Sequence, residues 1–519
     1  MFIKGENMTK LKTFYIPVLI SIISIILLSA CGNTQSQNTA QAKTNKNTLI
    51  IGLDSDPPQL DPQLSTTLVD RQVDQSLYNT LIDVNSNLQF VPGLATSWKV
   101  SSDEKMYTFH LRQGVTFQDG TPFNAEAVKF NLERILNPKT GSPSLSEISS
   151  IDSIKIIDDH SLQIHLKEPY APFLSVLTDR TGMMLSPTAV KKEGKNFANH
   201  PVGTGPYKFV SRIKQESITV KRYDHYWGKK PKIKTVIYKP YTDGTTRVTN
   251  LESGNVDIIN QMDYKDIDRL KHDPNITLSI KDALGFQGIM LNTKVKPLNN
   301  LKIRQAINIA IDRKAISKVV YHNGVTPAVN PFPTASWAHP TDLKVPKANI
   351  AKAKSLIKES GVTNTSFTLK ITNDPQAKQL GQMLQYMLQK IGIKINLEMV
   401  EFGTLISQEN SHQYQAVFQG WSGRIDPDGN SYSWFTSKGS LNNMGYSNTK
   451  VDQLLSEARS VSNQTERKAL YDQTSKILWH DSPYIFLFYL KDFKAMKNDL
   501  QGFNHVPDTL IRTDTLSFK

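Results

Sequence analysis

The sequence predicts a mixed α/β protein built as more than one lobe. Residues 366–400 read as strand, helix, strand: SFTLKI, a helical run over 376–390, then GIKINLEMV. Such a unit implies a parallel strand pair with a right-handed crossover between them. Strand-like and helix-like patterns also alternate along the rest of the chain, with no repeat at a period of 20–50 residues. Finally, the region beyond residue 47 is about 470 residues long, more than a single hydrophobic core organises.

The N-terminal stretch decides where such a protein works. Lys10 and Lys12 precede an apolar run from Phe14 to Leu28. That run has the length of a signal h-region and is short for a stable membrane span. Leu28-Ser29-Ala30-Cys31 follows and resembles a bacterial lipobox, in which the Cys thiol is diacylated and the residue becomes the new N-terminus. Two acyl chains give stable anchoring. Cys31 is the only cysteine of the chain, which excludes an intramolecular disulfide, a Cys-based zinc site and, once lipidated, a Cys nucleophile. Residues 1–31 are therefore expected to be a lipoprotein signal peptide with Cys31 as the lipidation site. Residues 32–47, GNTQSQNTAQAKTNKN, have no large apolar side chain and are expected to be a flexible tether.

Along the body, TLIIGL (48–53) reads as a short apolar strand, RQVDQSLYNTLI (71–82) has helical spacing, and MYTFHL (106–111) alternates as a half-buried strand does. Asn124 is placed to cap NAEAVKFNLERI, with Glu126 in its first turn. Asn300 is placed to cap LKIRQAINIAIDRKAISKVV, whose Ile303, Ala306, Ile307, Ala310 and Ile311 make an apolar stripe. VDQLLSEARSV and TERKALYDQTSKILW carry similar stripes. The charge balance is basic, 61 Lys+Arg against 47 Asp+Glu, a net +14, but no Lys/Arg-rich run or nucleic-acid motif accompanies it. This is a solvated surface facing an anionic envelope, and no nucleic-acid partner is expected.

Together these residues carry a family resemblance. LATSWKVSSDEKMYTFHLRQGVTFQDGTPFNAEAVKFNLERI (94–135) resembles the signature stretch of the family-5 extracellular solute-binding proteins, the receptors of peptide, glutathione, opine and nickel ABC importers. The likeness continues at PVGTGPYKF (201–209), YWGKKPKI (226–233), LESGNVDI (251–258), LNTKVKPLNNLKIRQAINIAIDRKAI (291–316) and GYSNTKVDQLLSEAR (445–459). It implies a bilobal periplasmic-binding-protein-like fold (type II, cluster C) with an extra inserted domain. Domain I would comprise residues 48–90, 200–285 and 495–519, domain II the insert 91–199, and domain III residues 286–494. Two crossings between domains I and III would form a hinge around a ligand cleft. The implied partners are a peptide or peptide-like ligand and the permease and ATPase of an ABC importer. The receptor is expected to be a monomer without a cofactor, lipid-anchored on the extracellular face of the cell membrane as in Gram-positive relatives. Glutathione, opine and nickel-chelate cargo, or a peptide-sensing role, stay open as alternatives.

An enzyme is not expected. There is no H-E-x-x-H and no G-x-S-x-G, the eleven His residues are scattered, and no carboxylate pair is singled out. Gly203-Thr204-Gly205-Pro206 lacks G-x-G-x-x-G spacing, because position 208 is Lys.

The candidate site lies in GWSGRIDPDGNSY, residues 420–432. As an EF-hand counted from Asp426 it fails, with Ser431 where Gly is required and Ser437 where Glu is required. A plain Pro/Gly turn, with Asp428-Gly429 setting the reversal, is one reading. The resemblance implies a sharper one. Peptide-binding relatives carry Gly-Trp at this place and, four residues past the Gly, an acidic residue for the peptide's α-ammonium. Here Gly420-Trp421 is followed by Arg424. A guanidinium suits bidentate pairing with a carboxylate. Asp426 or Asp428 could then take an ammonium or orient Arg424. Gly420, Trp421, Ser422, Arg424, Asp426, Asp428, Tyr432 and Trp434 are the expected ligand-binding residues, with no catalytic and no metal-binding residue among them.

Overall fold

The computed structural model describes residues 46–519. The signal segment, Cys31 and residues 32–45 of the expected tether lie outside the described residues. No helix among the described residues is long and apolar enough to cross a membrane.

Two long strands organise the chain: Ile276–Leu291 and Tyr484–Lys497, paired antiparallel. Their pairing runs from Ile276↔Lys497 to Asp282↔Lys491, breaks, and resumes at Phe286↔Tyr489. On one side of the break, Tyr484–Lys497 also pairs with the short strand Ile258–Ile259. That strand leads on to Thr48–Leu53, Thr235–Pro240, Ser217–Arg222 and Tyr207–Ile213. On the other side, Ile276–Leu291 pairs with Ala416–Trp421, which leads on to Phe367–Thr372 and Ile395–Val400. The irregularity at 282–286 thus separates two halves of one sheet, each with its own neighbours.

The expected strand–helix–strand unit is present. Phe367–Thr372 runs parallel to Ile395–Val400, and the helix Pro375–Gln389 connects them. Asp374 caps that helix by accepting from the Ala377 amide, and Pro375 occupies a first-turn position where its missing N–H costs nothing. Leu380, Leu384 and Leu388 share one face of this helix and are fully buried against Leu369 and Ile371. A separate antiparallel sheet, in the order Ala95–Val100, Met106–Leu111, Ser161–Leu166, Ile151–Asp158, packs against the helix Ala125–Leu136. Asn124 caps that helix as its position implies, accepting from the Ala127 amide.

Two elements depart from the sequence reading. The run 301–320 is broken into Leu301–Ala310 and Arg313–Val320. Asp312 causes the break, because its carboxylate accepts from the Ala315 amide and starts a second helix instead of continuing the first. The run 71–82 is helical only to Leu77, where Tyr78 turns extended, and the helix starts earlier, at Leu68. There Thr67 and Asp70 form a reciprocal capping box.

Candidate functional site

The strand Ala416–Trp421 ends with Gly420 opposite Gln287 and Trp421 opposite Phe286. A Cβ at Gly420 would lie 2.1 Å from the end of the Gln287 side chain, which would have to move aside. The chain then turns sharply at Gly423, whose φ of +89° favours glycine and whose Cβ position lies 2.1 Å from the Leu284 carbonyl oxygen. The reversal therefore falls at Ser422–Gly423 and not at Asp428-Gly429. Pro427, Asp428 and Gly429 instead open the helix Asp428–Phe435, where an acidic first turn suits the helix dipole. Asn430 ties this corner together. Its Oδ1 accepts from the Arg424 amide at 2.9 Å, and its Nδ2 donates to the carbonyls of Leu284 and Pro331.

Arg424 leaves this corner with its guanidinium over the Trp421 ring, 4.4 Å from the ring centroid. Among the described residues its side chain donates only to the neighbouring Gly423 carbonyl, and no ion pair engages it. Its charge reaches Glu147 and Asp179, which lie beyond ion-pair contact on the opposite wall. Burial raises the Glu147 carboxyl, while Arg424 and a hydrogen bond from Thr181 work against that rise. Burial also works to raise Asp179, but Arg71, Arg180 and Arg424 outweigh it and hold that carboxyl down to about 2. Arg71 Nε lies 2.9 Å from Asp179 Oδ1. Arg180 donates from Nε to Ser65 Oγ and from Nη2 to the Thr67 carbonyl. Asp74 lies buried nearby with neither carboxylate oxygen hydrogen-bonded, and burial followed by repulsion from Asp70 pushes its pKa well up. Arg424 thus carries a positive charge with no carboxylate paired to it among the described residues, while Asp179 is paired with Arg71 and Glu147 accepts from Thr181.

The other expected site residues are placed differently. Asp426 is buried and held by Arg467 through two contacts, 2.6 and 2.9 Å; Arg467 also donates to the Ala458 carbonyl and Tyr471 Oη. Asp428 is held by Arg459 in the same two-point manner, at 2.8 and 3.0 Å. Neither carboxylate orients Arg424, and each already has a guanidinium, so neither is available to a ligand ammonium in this arrangement. Tyr432 lies against Arg459, with the guanidinium carbon 3.5 Å from its ring centroid. Trp434 is a core residue, buried against Phe286 and Trp421. Ser422 is exposed.

The two walls touch beside this site. Arg459 reaches the Tyr170 ring at 5.1 Å, its carbonyl accepts from the Ala171 amide at 2.8 Å, and Ser462 donates to Glu104. Glu147, Asp179, Arg71 and Arg180 escaped the sequence reading. They lie far apart along the chain, and the only local sign was the charged pair Asp179-Arg180 next to a glycine-containing turn.

Residues 89–443 match the model of the bacterial extracellular solute-binding proteins, family 5. The glutathione-binding protein GsiB of Shigella flexneri is 32% identical over 476 residues, covering 89% of this chain and 92% of that protein. Among solved structures, DppA of Helicobacter pylori in complex with the peptide STSA superposes with a TM-score of 0.81 at 29% identity, covering 91% of this chain and 98% of that one. NikZ of Campylobacter jejuni in complex with Ni(L-His) superposes with a TM-score of 0.80 at 29% identity, covering 91% and 99%. The architecture is that of the bilobal periplasmic binding proteins, and proteins of this kind are transport receptors, not enzymes. From its matched length and its fold, this chain belongs to family 5 of the bacterial extracellular solute-binding proteins.

Proposed function

We propose that this protein is the extracellular receptor of an ABC importer and that it captures a short peptide or peptide-like solute through the solute's carboxylate. The observation that carries the reading is Arg424, a guanidinium with no carboxylate paired to it among the described residues, whose charge acts on Glu147 and Asp179. Arg424 takes the solute carboxylate, and Glu147, which holds no ion pair among the described residues, takes its ammonium. Such a solute would lie in reversed polarity relative to a peptide whose ammonium is held at the Gly-Trp corner. The similarity to a glutathione-binding protein supports a ligand rich in carboxylates, and opines or chelates with free carboxylates fit the same cation.

The break in the two long strands at 282–286 supports a hinge between domains bounded as the family resemblance implies, with the closed form delivering solute to a permease. Cys31 is proposed as the diacylated anchor that keeps this monomeric receptor on the outer face of the cell membrane. Mass spectrometry of the solute co-purified with the protein, followed by calorimetry of that solute against Arg424→Ala, tests the reading. A loss of about tenfold to a hundredfold in affinity is expected, the worth of a hydrogen-bonded ion pair. Unchanged affinity, with the variant folded, overturns it.

A further inference from the structure

A partly open space borders the segment Ile425–Asp426, next to Arg424. It has a volume of about 720 Å³ and lies between the Phe90, Tyr107 and Leu174 region of one wall and Trp337, Ile425 and Ser462 of the other. That volume is in the range of pockets that hold small organic molecules. Its wall is mixed, with Phe90, Tyr107, Leu174 and Trp337 beside serine and amide side chains, and three charged side chains line it: Glu104, Asp426 and Arg467. Asp426 and Arg467 neutralise each other in their two-point pair. Glu104 is left as an uncompensated negative charge. One of its oxygens accepts from Ser462 across the gap between the lobes, and the other, Oε2, is buried with no partner. A buried carboxylate oxygen without a donor is costly to keep, and a ligand that brings a donor relieves that cost.

We propose that this cavity is a second binding site, for a small organic ammonium ion whose N–H head donates to the Glu104 carboxylate. The hydrocarbon body of the ion would lie among Tyr107, Leu174 and Trp337. Aromatic rings beside a carboxylate suit a cation twice over, through the ring quadrupole and through direct charge pairing. The site is separate from the Arg424 cleft, which favours a carboxylate, and does not depend on it. Because Glu104 and Ser462 come from opposite walls, occupancy would also favour the closed arrangement.

The test is calorimetry or ligand-observed NMR on the purified mature protein. 2-Phenylethylammonium serves as the probe and 3-phenylpropionate as its anionic counterpart of similar size. The ammonium should bind and the carboxylate should not compete with it. Glu104→Gln, at a hairpin turn where the fold tolerates it, should weaken ammonium binding about tenfold or more, the worth of a hydrogen bond to a charged partner. Glu104→Asp, which keeps the charge, should recover part of the affinity, and Arg424→Ala should leave it unchanged. Absent binding to the wild-type protein, equal binding to Glu104→Gln, or a loss confined to Arg424→Ala would each overturn the assignment. That last result would place the ammonium in the Arg424 cleft instead.

Discussion

Arg467 grips Asp426 through both guanidinium Nη atoms, at 2.6 and 2.9 Å, from a helix 41 residues further along the chain. Both side chains are almost completely shielded from water. Breaking such a pair strands a buried charge, so Asp426→Asn is expected to cost about 3–5 kcal/mol in urea unfolding. The double variant Asp426→Asn/Arg467→Met should recover much of that loss. If the single variant were as stable as wild type, Asp426 would not be the structural anchor described above.

Gly423→Ala should be damaging beyond its size. The φ of +89° is strained for alanine, and the new Cβ would meet the Leu284 carbonyl oxygen at 2.1 Å. An incompatible backbone of this kind costs about 1–3 kcal/mol. Because Arg424 is the next residue, solute affinity should fall together with Tm. An ordinary Tm with intact affinity would contradict the geometry of the corner.

Asp179 sets an acid limit on stability. Its carboxyl lies at about 2 in the folded protein against an ordinary 3.8. A depressed carboxyl contributes stability that is complete above the unfolded value and is lost as pH falls from about 4 towards 2, here about 2 kcal/mol. Asp179→Asn should therefore trail wild type in chemical unfolding at pH 6, and the gap should narrow by pH 3. A gap independent of pH would place the effect elsewhere.

Asp74 works in the opposite direction. Its raised carboxyl makes the folded state hold a proton that the unfolded chain releases, so it removes stability as pH rises above the ordinary carboxylate range. Asp74→Asn, which is permanently neutral, should raise Tm at pH 8, and the gain should shrink towards pH 4. A gain that grew on acidification would rule out this account.

Much of the fold was legible because its signals are local. Asn124 and Asp374 cap their helices within three residues, and the 366–400 unit shows both periods in one window. The break at Asp312 was also local, but an apolar stripe running through Ile311 concealed it. The site was legible only in part. Gly420 and Trp421 stand at the strand end as the family pattern implies, and Arg424 follows where that pattern has an acidic residue. The roles of Asp426 and Asp428 depend on Arg467 and Arg459, which lie 41 and 31 residues away on other helices. Glu147 and Asp179 reach the site only through folding of the opposite wall. Spacing along a chain carries no information about pairings of that kind.

Leu284 sits inside the irregularity of the two long strands, and its carbonyl accepts the Asn430 amide that also fixes the Arg424 backbone. The recognition arm is therefore bolted to the fulcrum. If Arg424 holds the solute as proposed, a pull on it is passed through one side chain to the place where the sheet changes neighbours, so sensing the cargo and moving the lobes would share a single mechanical joint.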